Sequence, residues 1–271
     1  MWSTAEGCDT VDGMKRRNVV LLLFGVTLAV AAAACLAPRV GQPPAYHHFA
    51  DTRDWLGVAN FGDVASNLPF AAAGIWGIFL LLSGAEKIRF VDERERVFWV
   101  ILFLGLLMTA VGSAYYHLAP DNARLVWDRI PMTVVFMPLV GAVIGERVSV
   151  NWGLFLLPFL LAIGVGSVLQ WRASELQGRG DLRFYAAVQI YALVTLLLAS
   201  ALPARYTRRQ DLLVVVGFYI LAKLLETGDQ VVYSAGHLVS GHTLKHLAAG
   251  AAGFWILRML RLRRAVLNTK T

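Results

Sequence analysis

Three histidines carry the chemistry that this chain can be expected to perform. His117 closes the stretch GSAYYH, and His242 and His246 stand four residues apart in GHTLKH. On a helix, residues four apart share a face, so His242 and His246 form a ready pair, as do Ser113 and His117 on another helix. Imidazole is a good zinc ligand, and catalytic zinc sites use three protein ligands plus an open position for water, whereas structural sites close all four. Asp128, eleven residues after His117 in WDRIP, is placed to hold or deprotonate such a water. On spacing alone the trio stays open between zinc and a bis-histidine haem using His117 and His246, because H-x-x-x-H also occurs in helices that bind haem or only pack.

Elements that bring distant residues together must be membrane helices here. The 271 residues are 57% hydrophobic and 16% charged, with positive mean hydropathy, which excludes an ordinary soluble globule. The net charge of +7 does not imply nucleic acid, because Lys and Arg sit in short clusters between apolar runs, where they orient spans in a bilayer. Cys8 and Cys35 form no C-x-x-C pair and support neither a disulfide scaffold nor a thiolate metal site.

The expected fold is all-α, a polytopic membrane helix bundle with a seven-span core and one extra N-terminal transmembrane helix, eight spans in all. A polar cytoplasmic tail occupies residues 1–18 and the extra helix 19–37. Its apolar run, about Val19 to Leu36, is long enough to cross a ~30 Å hydrocarbon layer, which favours a retained span over a cleaved signal peptide. A non-cytoplasmic loop follows at 38–60, then the core at 61–260 and a basic cytoplasmic tail at 261–271. Within the core the runs lie near 61–82, 97–117, 125–144, 152–171, 184–202, 212–232 and 242–260. In this arrangement 16 Lys and Arg fall on the side of both termini and 7 on the other, which makes the termini cytoplasmic. His117, Asp128, His242 and His246 then gather near the non-cytoplasmic face. In a bacterium the plasma (inner) membrane is the expected location, and in a eukaryote an internal one.

Other polar residues have structural readings as well as functional ones. Asp128 has Pro131 close behind it, which suits a first helical turn with Asp128 as a cap, or a partner for Arg124 or Arg129. Lys223, Glu226 and Asp229 repeat at intervals of three on one face of the seventh span. Lys223 and Glu226 suit a self-neutralising pair, Lys245 suits either acid, and Glu226 or Asp229 could accept the free N–H of a zinc histidine. Asp63 and Asn67 open the second span as capping or interhelical groups. Tyr115, Tyr116, Trp127 and Trp55 suit an interfacial aromatic belt.

The S-x-x-x-H of Ser113 and His117, the aspartate at 128 and the H-x-x-x-H opening the last span together resemble the alkaline ceramidases. These belong to a superfamily of seven-span membrane hydrolases that includes the adiponectin receptors. The likeness covers about residues 54 to 260. It implies that His117, His242 and His246 hold Zn2+, with Ser113 and Asp128 beside the metal's open position. It also implies hydrolysis of the amide joining an acyl chain to the sphingoid base of a ceramide-like lipid, which could enter sideways between helices. Alternatives are another acyl lipid, such as an N-acyl amino acid or phospholipid ester, and a zinc-braced, receptor-like protein without turnover. The family's N-terminal calcium stretch begins with Asp-Trp, matched here by Asp54 and Trp55. Leu56, Gly57, Val58 and Ala59 supply no side-chain oxygen, leaving Asn60 and Asp63 as substitutes, so the resemblance to a Ca2+ site is weak.

Overall fold

Each apolar run becomes helix. The structure, a computed structural model, describes residues 9–83 and 88–266. Its helices are α1 (Asp9–Leu36), α2 (Phe61–Ala65), α3 (Leu68–Leu82), α4 (Arg96–Leu118), α5 (Asn122–Arg147), α6 (Val150–Leu176), α7 (Arg183–Ala201), α8 (Asp211–Thr227), α9 (Asp229–Ser234) and α10 (Gly241–Leu262). Among the described residues there are no strands, only two isolated bridges. Residues 1–8 of the expected N-terminal tail, 84–87 of one loop and 267–271 of the basic tail lie outside the described residues.

Among the described residues six segments are long and apolar enough to cross a membrane: the Arg16–Leu36 part of α1, α2 with α3, α4 with the turn before it, α5, α6 and α7. They mark the chain as an integral membrane protein. Of the remaining two expected spans, α8 has only 17 residues. α10 interrupts its apolar run with His242, Lys245, His246, Arg258 and Arg261. Outward faces are apolar too: Phe155, Phe159 and Ile163 of α6 are all more than half exposed, as suits lipid contact.

Neighbour packing closes a ring. α3 lies on α4, α4 on α5, α5 on α6 and α7, α7 on α8, α8 on α10, and α10 back on α3, while α1 packs on α7 from outside. Glycine permits the two close approaches that matter for the site. A Cβ on Gly112 of α4 would collide with the Trp127 carbonyl of α5, so only glycine lets the end of α4 touch the start of α5. A Cβ on Gly241 would strike the Leu225 carbonyl and come within 2.7 Å of the Asp229 Cα, so the start of α10 lies directly on the α8–α9 junction.

Several local expectations change. Helix α1 begins at Asp9, well before its apolar run, so much of the expected polar tail is helical. α5 starts at Asn122, capped by the Asp121 side chain, which accepts from the Arg124 N–H at 2.7 Å. Asp128 is therefore inside the helix rather than its cap, and Pro131 is in the interior rather than the first turn. The seventh run breaks at Gly228 into α8 and α9, so Asp229 starts a new helix and leaves the face shared by Lys223 and Glu226. Tyr116 is buried, not interfacial: its hydroxyl is 2.9 Å from His47 Nδ1. Tyr115, Trp127 and Trp55 are exposed, as a belt requires.

Candidate metal centre

The two distant histidine stretches meet. His117 at the end of α4 and His242 and His246 in the first turns of α10 are buried, with one candidate ligand nitrogen from each within 4.8 Å of the others. Their ring centroids are 4.8 to 4.9 Å apart, so the three imidazoles surround one point. Among the described residues no fourth His, Cys, Asp or Glu joins the group. His117 Nδ1 is buried without any hydrogen-bond partner, a costly state that a cation at the shared point would relieve. Donor type, convergence and this orphaned nitrogen all fit a divalent ion preferring imidazole.

Neighbouring groups orient the rings. Ser66 Oγ lies 2.8 Å from His246 Nδ1 and 3.1 Å from the Asp63 carbonyl; with its proton on that carbonyl it accepts from the ring, the arrangement that leaves Nε2 free to ligate. Asp229 acts on the backbone: Oδ1 accepts the His242 N–H at 2.7 Å and Oδ2 the Ala50 N–H at 2.9 Å. Glu226 accepts from both Lys245 and Lys223 at 2.7 Å. Neither carboxylate reaches an imidazole nitrogen, contrary to the expected histidine–acid pairing; that role falls to Ser66. Lys245 Nζ is 3.2 Å from His242 Nε2, which places a cation beside the centre and makes Glu226 its neutralising partner.

The loop at 38–60 covers this end of the ring. Phe49 packs its ring 4.7 Å from His117 and 4.6 Å from His242. Arg129, buried without an acidic partner, stacks 4.2 Å above Trp171 and donates to Gln42 Oε1 at 2.5 Å. Tyr46 donates to Glu226 Oε1 at 3.2 Å; burial, helped by Glu226, pushes its phenol up to about 12, so the proton stays. The Arg53 guanidinium clamps Asp51, holding that carboxyl below its usual range, and also donates to the Leu238 carbonyl.

Ser113, Asp128 and His246 open together on one cavity of about 140 Å³, lined below them mainly by apolar side chains. Ser113 Oγ is buried and unpartnered, and Asp128 makes no ion pair with Arg124 or Arg129. Below this rim the walls are mostly apolar down to Leu139, Leu196 and Ile256 near the other end of the ring, with Thr109, Gln189 and Tyr219 among them. Asp54 and Trp55 are exposed, the Asn60 amide donates to the His117 carbonyl at 2.8 Å, and Asp63 Oδ1 accepts from Thr243 at 2.8 Å and Ser240 at 3.3 Å.

No family model matches the sequence. A stretch of 101 residues is 28% identical to the Dictyostelium discoideum protein named "Putative alkaline ceramidase dcd3A". The match takes in 33% of this chain and 34% of that protein, so the chain spans about a third of the relative's length.

Sequence reasoning missed Ser66, Tyr46 and Phe49. Ser66 carried a faint signal, lying between Asp63 and Asn67 at the start of a span. Phe49 carried none, because an aromatic in a Pro-rich loop has no period to betray what it packs against.

Proposed function

We propose that the protein is a zinc-dependent intramembrane lipid amidase, cleaving the N-acyl amide of ceramide-like lipids to a fatty acid and a sphingoid base. The observation that carries this reading is the convergence of three buried imidazoles at the polar mouth of a largely apolar cavity shared with Asp128 and Ser113. The Dictyostelium relative's name points the same way. Zinc held by His117, His242 and His246 would lower the pKa of a water at its open position and polarise the scissile carbonyl.

The chain's own groups do the rest. Asp128 takes a proton from the attacking water and delivers it to the leaving amine nitrogen. Ser113 Oγ donates to the carbonyl oxygen as negative charge builds there. Ser66 fixes the His246 tautomer, Phe49 shields the imidazoles from bulk water, and the apolar walls take a hydrocarbon chain that enters from the bilayer. The eight-span topology, with both termini cytoplasmic and the site near the opposite face, belongs to the same proposal. A haem between His117 and His246 is disfavoured because His242, 4.8 and 4.9 Å from the two rings, occupies the plane a porphyrin would need. Calcium plays no part in the proposal.

The test is to incubate the purified full chain with N-acyl sphingoid lipids and measure both products by mass spectrometry. Both products should form, release should stop on chelation, and zinc should restore it. Cleavage of ester lipids alone would replace the amidase reading, and no cleavage of any acyl lipid would remove it.

A further inference from the structure

The cavity wall is not uniformly apolar below its rim. Seven residues before Glu226 on α8, two turns or about 10 Å deeper into the bundle, Tyr219 points its hydroxyl at Gln189 of α7, with Oη 2.9 Å from Oε1. Phe136 of α5 braces the phenol ring edge-on at 6.0 Å. Gln189 and Tyr219 both line the cavity, beside Leu139, Leu193, Val216 and Ala192.

Several hydroxyls on these helices satisfy themselves on their own backbone. Thr109, which also lines the cavity, donates to the Gly105 carbonyl, Thr133 to Ile130 and Ser167 to Gly164. The Gln189–Tyr219 pair cannot do this completely. With the phenol donating to Oε1, both amide hydrogens of Gln189 lack a protein acceptor. With the amide turned over, the Tyr219 hydrogen and Gln189 Oε1 are left over instead. Either way the pair presents an unused donor and an unused acceptor to an apolar space, and polar groups at membrane depth are costly without a partner.

We propose that this pair is a subsite for a hydroxyl carried on the hydrocarbon chain of the lipid substrate. A hydroxyl is one donor and an acceptor, the complement of what the pair leaves open. A carbonyl would answer only the donor. A charged group would find no counter-charge at this depth, since Lys223, Glu226 and Lys245 lie at the rim, about two turns away, and are engaged with one another. The inference rests on the lipid-hydrolase reading and narrows its substrate class to acyl lipids hydroxylated some distance along one chain from the cleaved bond. The alternative is a plain staple between α7 and α8, which would be indifferent to the ligand.

Matched N-acyl sphingoid lipids, plain and singly hydroxylated at successive chain positions, separate the two. Wild type should turn over one hydroxylated isomer about 3- to 10-fold faster than the plain lipid, as one added hydrogen bond allows. In Gln189→Leu and in Tyr219→Phe that ratio should fall to about one, with turnover of the plain lipid retained. A ratio of one for every isomer in wild type, or an unchanged preference in both variants, overturns the proposal. A second readout is independent of turnover: retention of hydroxylated against plain fatty acid by the purified full chain, followed by native mass spectrometry. Preferential retention lost in the variants supports the subsite even if no amide is cleaved, whereas equal retention in wild type counts against it.

Discussion

Buried charge collects at both ends of the helix ring, and the two collections are built on different rules. At the Glu95 end, Arg263 lies 3.8 Å from Glu95 and 3.9 Å above the Tyr206 ring, Tyr206 donates to Glu95 at 2.7 Å, and Arg147 pairs with Glu146 while donating to the Ala199 carbonyl. Each charge there faces an opposite charge or an aromatic face. At the His117 end the acids are drawn away from the rings, Glu226 to two lysines, Asp229 to two backbone N–H groups and Asp63 to two hydroxyls, and Asp128 opens on the cavity. What converges is a set of imidazole nitrogens. Internal neutralisation marks a brace. Lone pairs aimed at a shared point beside a cavity mark a site.

Changes at each end should therefore fail in different ways. The largest effect is expected from Asp128→Asn, which keeps shape but removes the proton acceptor. Lipid turnover should drop by about 10² to 10⁴-fold with metal content unchanged. Loss of metal together with turnover would make Asp128 a brace like those at the other end. Next comes Arg263→Met, which leaves Glu95 buried without its cation and should cost roughly 3 kcal/mol of stability, read as a lower unfolding midpoint. Metal content and turnover per folded molecule should not move, and if they do the two ends are coupled.

Smaller effects sharpen the picture of the rim. Ser66→Ala removes the acceptor of His246 Nδ1–H and should weaken metal binding about 10- to 100-fold, measured by competition with a chelator. The loop clasp comes last. Arg53 is half exposed, so Arg53→Ala should barely move the unfolding midpoint. It should nevertheless speed hydrogen exchange around Phe49 and Ala50 without lowering metal content.

How far the sequence was legible follows the same division. Helices were readable because runs such as Val97 to His117 stay apolar for the thickness of a bilayer, and the histidine pair in GHTLKH was readable because four residues make a turn. The break at Gly228 was not, since a lone glycine in an apolar run also occurs in unbroken helices, and the tight seat of Gly241 on Asp229 exists only after α8 and α10 pack. Asp121 was passed over as a cap because the apolar run starts later than the helix does. Tyr116 looked interfacial beside Tyr115, but neighbouring positions on a helix point about 100° apart, so one faces lipid while the other meets His47. Ser66 and Phe49 belong to contacts between segments distant in the chain, which no local pattern encodes.

The central claim is that His117, His242 and His246 jointly hold one divalent ion. Elemental analysis of the purified protein, wild type beside His117→Ala, tests it most directly. About one zinc per folded wild-type chain, absent from the folded variant, is the expected result. A folded wild-type protein without bound metal, or a variant that keeps its zinc in full, would contradict it.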